Sequence, residues 1–99
     1  MLEQVIRRLG ARTDECFFWA THSGSELDLL IVRGRRRLGF EIKRSSAPRP
    51  TPSMQTALTD LKLERVDVIH AGDETYPLGK GLRAVALRQL LEVLQPLPQ

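Results

Sequence analysis

Two apolar runs joined by a short basic loop constrain this chain more than any other feature. Residues 25–32 read Ser-Glu-Leu-Asp-Leu-Leu-Ile-Val; Arg33, Gly34, Arg35, Arg36 and Arg37 follow, then Leu38, Gly39, Phe40, Glu41, Ile42 and Lys43. Runs of this length around a glycine-containing loop are the sequence form of a β-hairpin. In the second run Gly39, Glu41 and Lys43 alternate with Leu38, Phe40 and Ile42, so the pleat sends Glu41 and Lys43 to one face and the apolar residues to the other. Glu26 and Asp28 share a face of the first run by the same rule. A hairpin register then brings Asp28 close to Glu41, with Lys43 alongside. Two carboxylates and an amine on one sheet face suit a divalent metal site. They equally suit a solvated sheet face carrying an ion pair, and the alternation leaves both readings open.

Around this hairpin the chain reads as α/β. Leu2, Val5, Ile6 and Leu9 recur at helical spacing, predicting a short helix over 2–9 that ends at Gly10 and needs a surface to dock on. Residues 11–14 form a turn, 16–21 a first strand, and 21–25 a second turn. After Lys43, prolines at 48, 50 and 52 force an extended loop. Thr51 and Pro52 are a helix cap and first-turn proline, opening a helix to about residue 63. A strand follows over 66–71, then a turn at 72–74, a short edge strand over 75–78, and a brief return to strand over 82–85. Residues 86–94, with Leu87, Leu90, Leu91 and Leu94, predict a final helix stopped by Pro96 and Pro98. The order is α-β-β-β-α-β-(β)-α, with a mixed central sheet flanked by helices in one domain over 1–99.

Charge and cysteine content narrow the function classes. Lys and Arg number 15 against 12 for Asp and Glu, a formal charge of +3, and the pI is about 9.6. Much of the positive charge crowds into residues 33–49, where Arg35, Arg36, Arg37 and Arg44 are candidate nucleic-acid contacts. A hairpin tip kept soluble by charge explains the same arginines. Cys16 is the only cysteine, which excludes an intrachain disulfide and a paired-cysteine metal site. No apolar run reaches membrane-spanning length and the N-terminus is not a signal peptide, so a cytoplasmic chain without membrane contact is expected. His22 and His70 lack zinc-site spacing. Phe17, Phe18 and Trp19 read as core or interface aromatics, and Gly79-Lys80-Gly81 is too short for a phosphate-binding loop.

The hairpin, the preceding Gly24-x-Glu26-x-Asp28 and the later run Gly72-Asp73-Glu74-Thr75-Tyr76-Pro77-Leu78-Gly79 carry a resemblance. Glu41-Ile42-Lys43 with Asp28 upstream resembles the restriction-endonuclease-like, or PD-(D/E)XK, superfamily, whose core is a three-strand meander, a crossover helix and a further strand. More closely, the run from Phe18 to Lys43 is similar to a C-terminal domain of uncharacterised function found behind AAA-type ATPase modules in prokaryotes. The resemblance implies phosphodiester hydrolysis with Mg²⁺ or Mn²⁺, in which Asp28 and Glu41 hold the metal and Lys43 orients the attacking water. It also implies that Gln55, on the helix after Glu-x-Lys, lines the site. The acidic residue that relatives use on a first helix would lie upstream of residue 1, so the domain reads as shortened at its N-terminus, with a second copy or an ATPase domain as a candidate partner beside nucleic acid. Two functions compete: a metal-dependent nuclease-like domain, and a catalytically inactive nucleic-acid-binding or protein-interaction domain.

Overall fold

The computed structural model describes residues 1–22 and 24–98. Ser23, within the expected turn over 21–25, and the terminal Gln99 lie outside the described residues. Six strands form one mixed sheet in the order β1-β2-β3-β4-β6-β5. The strands are β1 (Cys16–Ala20), β2 (Glu26–Arg33), β3 (Arg36–Ile42), β4 (Arg65–His70), β5 (Tyr76–Gly79) and β6 (Leu82–Ala86). The meander β1-β2-β3 is antiparallel, β4 joins β3 in parallel, β6 joins β4 in parallel, and β5 closes the far edge antiparallel to β6. The helices are α1 (Leu2–Leu9), α2 (Pro52–Asp60) and α3 (Leu90–Val93). No helix among the described residues is long and apolar enough to cross a membrane.

Each face of the sheet buries its own core. On one face Leu29, Ile31, Leu38, Phe40, Ile69 and Val85 pack against Val5 and Leu9 of α1 and against Leu90, Leu94 and Leu97. On the other, Leu27, Val66, Val68 and Leu82 pack beneath Met54 and Ala57 of α2. An eight-residue helix is marginal in water, and α1 is held by the chain's other end. Arg8 donates to the carbonyls of Leu94 and Leu91, both at 2.8 Å, and the Leu97 amide donates to the Leu9 carbonyl at 2.9 Å. Gly10, at φ 72°, ends the helix in a left-handed cap, with its amide on the Arg7 carbonyl and the Ala11 amide on that of Ile6.

Three elements differ from the sequence reading. The loop expected over 33–37 contracts to a two-residue turn, Gly34-Arg35, because Arg33 pairs with Arg36 and Val32 with Arg37. Gly34 takes φ 58° at the first turn position, where the twist of a tight hairpin demands a positive angle. The helix expected over 86–94 is mostly something else. Strand β6 runs on to Ala86, where the backbone amide donates to Thr75 Oγ1 at 3.1 Å; a 3₁₀ turn over Leu87–Gln89 follows, and α3 has only four residues. Strand β6 is also a central strand between β4 and β5. Finally, of the core-or-interface reading of Phe17 and Phe18, the core half does not hold: on edge strand β1 they are 49% and 68% exposed. The cap of α2 matches expectation, with Thr51 Oγ1 accepting from the Met54 amide at 3.3 Å.

The turn end of the hairpin is fixed by an ion pair with a buried carboxylate. Arg33 donates to both Glu15 oxygens at 2.8 Å and also to the Gly10 carbonyl at 2.8 Å. The Arg33 guanidinium, with the Arg12 backbone amide, holds the Glu15 carboxyl down at about 2.

Candidate functional site

The candidate residues gather where β2 begins and β3 ends. Glu41 alternates with Phe40, so burying Phe40 on the α1 side turns Glu41 toward the α2 side, where its strand partner Val68 also points. Glu41 is 9% exposed, a rare setting for a carboxylate. Lys43 continues the strand direction past Ile42, its amide donating to the Ile69 carbonyl at 2.8 Å, and its Nζ lies 3.3 Å from Glu41 Oε1.

Asp28 reaches the same place by a route that alternation does not foresee. Phe17 pairs with Leu30 but Trp19 pairs with Leu27, so one residue of β1, Phe18, opposes two of β2, Asp28 and Leu29. This bulge puts Leu27 and Leu29 in different cores, although a regular strand would send both to one face. The expectation that Glu26 and Asp28 share a face rested on that regular alternation, which the bulge breaks. At the bulge the ladder to β3 stops at Leu29, and the Asp28 side chain takes over, with Oδ2 accepting the Ile42 amide at 2.8 Å.

Electrostatics couple these groups. Burial raises the Glu41 pKa most, the nearby Asp28 and Glu26 carboxylates raise it further, and the Lys43 ammonium partly opposes them. The folded pKa stands above the unfolded one, so ionised Glu41 costs stability at neutral pH and the cost vanishes as pH falls below the ordinary carboxylate range. Glu41→Gln is therefore expected to be more stable than the parent at pH 7 in the presence of a chelator, with the gap closing toward pH 4. Urea midpoints at both pH values check this; a parent more stable than the variant at pH 7 would contradict it.

The other candidate residues are placed differently. Gln55 is exposed on α2 and its amide donates to Thr59 Oγ1 at 3.5 Å. Arg35, Arg36 and Arg37 lie at the opposite end of β3 from Glu41, roughly 17 Å away at the usual rise per strand residue. Arg36 is taken up by Glu64 through two bonds at 2.9 and 3.0 Å, and Arg37 donates to the Leu61 carbonyl at 3.1 Å. Arg35 is exposed at the turn, and Arg44 is exposed on the loop directly after Lys43. None of the four grooves described on the surface is lined by Asp28, Glu41 or Lys43. Among the described residues, no three His, Cys, Asp or Glu side chains form a metal-holding group.

Residues 70–76 form a clamp whose role sequence reasoning missed. His70 is fully buried; its Nδ1 accepts the Gly72 amide at 3.0 Å, which leaves Nε2–H to donate to the Glu74 carbonyl at 2.9 Å. Its ring meets that of Tyr76 at 5.8 Å, and Tyr76 Oη–H donates to the Pro48 carbonyl at 2.8 Å. The clamp therefore grips the loop that carries Arg44 away from Lys43. A glycine two residues after a strand-end histidine was the available signal.

A family model described as a domain of unknown function, DUF4143, matches residues 1–90. Two uncharacterised proteins, from Mycobacterium bovis and Mycobacterium tuberculosis, are each 37% identical over 91 residues, which is 92% of this chain and 20% of theirs. The chain thus spans about one fifth of the length of these curated relatives. No solved structure matches it.

Proposed function

We propose that this chain, which belongs to the DUF4143 family, is a divalent-metal-dependent phosphodiesterase or nuclease-like domain acting on nucleic acid. The observation that carries this reading is the cluster at the end of β3: a buried Glu41 raised in pKa, Asp28 beside it, and the Lys43 ammonium 3.3 Å away. Supporting it, the order α1-β1-β2-β3-α2-β4, with an antiparallel meander and then a strand parallel to β3, is the order expected of a restriction-endonuclease-like core.

The donor set fits Mg²⁺ or Mn²⁺. Each carboxylate has one oxygen engaged, Asp28 Oδ2 by the Ile42 amide and Glu41 Oε1 by Lys43, which leaves Asp28 Oδ1 and Glu41 Oε2 to hold the ion. Two carboxylates suffice for a cation that keeps much of its water. When bound, such an ion polarises a phosphoryl oxygen and lowers the pKa of a coordinated water. The backbone bond from Ile42 fixes the Asp28 carboxylate, burial excludes water from behind Glu41, and Lys43 orients a water and offsets charge developing on phosphate. Arg44 continues the positive charge along the exposed loop. A domain of this kind would work in the cytoplasm, and docking to an ATPase domain or to a second copy remains part of the proposal.

One observation favours the non-catalytic alternative: Glu41 is already satisfied by Lys43, and Asp28 by Ile42, as in a structural ion cluster. The two readings separate in a cleavage assay. Single- and double-stranded DNA and RNA, incubated with the protein and Mg²⁺ or Mn²⁺, are expected to be cut. Glu41→Gln and Lys43→Met are expected to reduce cutting roughly hundredfold or more while circular dichroism shows the fold retained. Cutting that survives both substitutions would overturn the proposal.

A further inference from the structure

We propose a second site on the opposite face of the sheet: Arg65 and Arg83, held side by side by the buried Asp67, form a receptor for a phosphoryl group. This goes beyond the nuclease-like reading and does not depend on it. Asp67 is fully buried in β4, on the face away from Glu41, with Phe40 and Arg83 as its strand partners. Arg83 grips both of its oxygens, Nε to Oδ1 at 3.0 Å and Nη2 to Oδ2 at 2.8 Å. Arg65 Nε also donates to Oδ2, at 3.1 Å.

Two guanidinium groups thus share one carboxylate, and one positive charge is left over. Glu64, next to Arg65 in the chain, feels its charge but is bound through both oxygens by Arg36. Asp67 does not consume the donors. Arg65 Nη1 and Nη2 and Arg83 Nη1 have no protein acceptor among the described residues, and the two side chains stay 28% and 33% exposed. Both arginines open onto a groove of about 360 Å³ walled by Tyr76, Pro77 and Leu82, at the small end of the range that ligand sites occupy. Guanidinium forks fixed in orientation with outward N–H groups match the oxygens of phosphate, and little side-chain freedom is lost on binding.

The test is an NMR titration at constant ionic strength with inorganic phosphate, using chloride as the reference anion. Saturable shifts are expected at the Nε–H groups of Arg65 and Arg83 and at the amides of Tyr76 and residues 78–83. Arg65→Gln, which leaves the two-bond Arg83–Asp67 pair in place, is expected to weaken binding roughly tenfold or more, whereas Arg7→Gln, at an exposed position on α1, is not. Should Arg65→Gln fail to fold, Arg65→Lys, which keeps the charge and loses the fork, is expected to weaken binding as well. Two further ligands separate the sources of phosphate. Competition by ribose 5-phosphate identifies a small phosphomonoester, and competition by an oligonucleotide without terminal phosphates identifies a nucleic-acid backbone. Shifts that do not saturate, that spread equally over Arg35, Arg44 and Arg49, or that persist unchanged in both Arg65 variants would overturn the proposal.

Discussion

Gly72→Ala is expected to destabilise the fold by about 3 kcal/mol, as overpacking against backbone does, and to lower the melting temperature by roughly 10–20 °C. Glycine is needed here for space, since φ at this position is not among the positive angles. A Cβ on residue 72 would overlap the Ser46 carbonyl oxygen and stand 2.9 Å from His70 Nδ1. Neither neighbour can give way cheaply. Ser46 offers backbone on a loop tied by the Tyr76–Pro48 hydrogen bond, and the His70 ring is buried with both nitrogens engaged. The variant should also become sensitive to protease within residues 44–51, because the clamp that holds this loop is displaced. A melting temperature within two or three degrees of the parent (on the order of 0.5 kcal/mol) would show that the loop is not held this way.

Phe40→Ala is expected to cost about 3–5 kcal/mol, the range for truncating a large buried ring in a core that collapses only partly. Phe40 is fully buried between its strand partners Leu29 and Asp67, under α1 and the C-terminal segment. Its burial also sets the pleat that turns Glu41 to the other face. Phe18→Ala is the comparison: at 68% exposure on edge strand β1 it should change stability by no more than about 0.5 kcal/mol. Urea midpoints for the two variants check the contrast, and similar costs would mean that the core is assigned to the wrong aromatic residues.

What could be read from the sequence follows from how local each signal is. The Glu41–Lys43 alternation, the Thr51-Pro52 helix start and the α1 stripe each depend on residues a few positions apart, and the structure has them where they were expected. The bulge at Asp28 was invisible because it is a mismatch between β1 and β2, detectable only once Phe17 and Trp19 have their partners. The arginine run hid a two-residue turn, since the acids that absorb Arg33 and Arg36 are Glu15 and Glu64, far away along the chain. Leucines at 87, 90, 91 and 94 have helical spacing, yet Leu91 is 67% exposed and Leu94 is buried from extended chain beyond a four-residue helix. Asp67 and Arg83 needed the parallel register of β4 and β6 before they could be seen as a pair.

The central claim is that Asp28 and Glu41 hold a divalent ion beside Lys43, and paramagnetic broadening by Mn²⁺ tests it without requiring a substrate. Substoichiometric Mn²⁺ is expected to broaden the amide resonances of residues 27–29 and 41–43 while leaving the hairpin tip at Gly34 and Arg35 sharp. Glu41→Gln and Asp28→Asn should each abolish the effect. Broadening that is absent from these residues, or that persists in both variants, would contradict the claim.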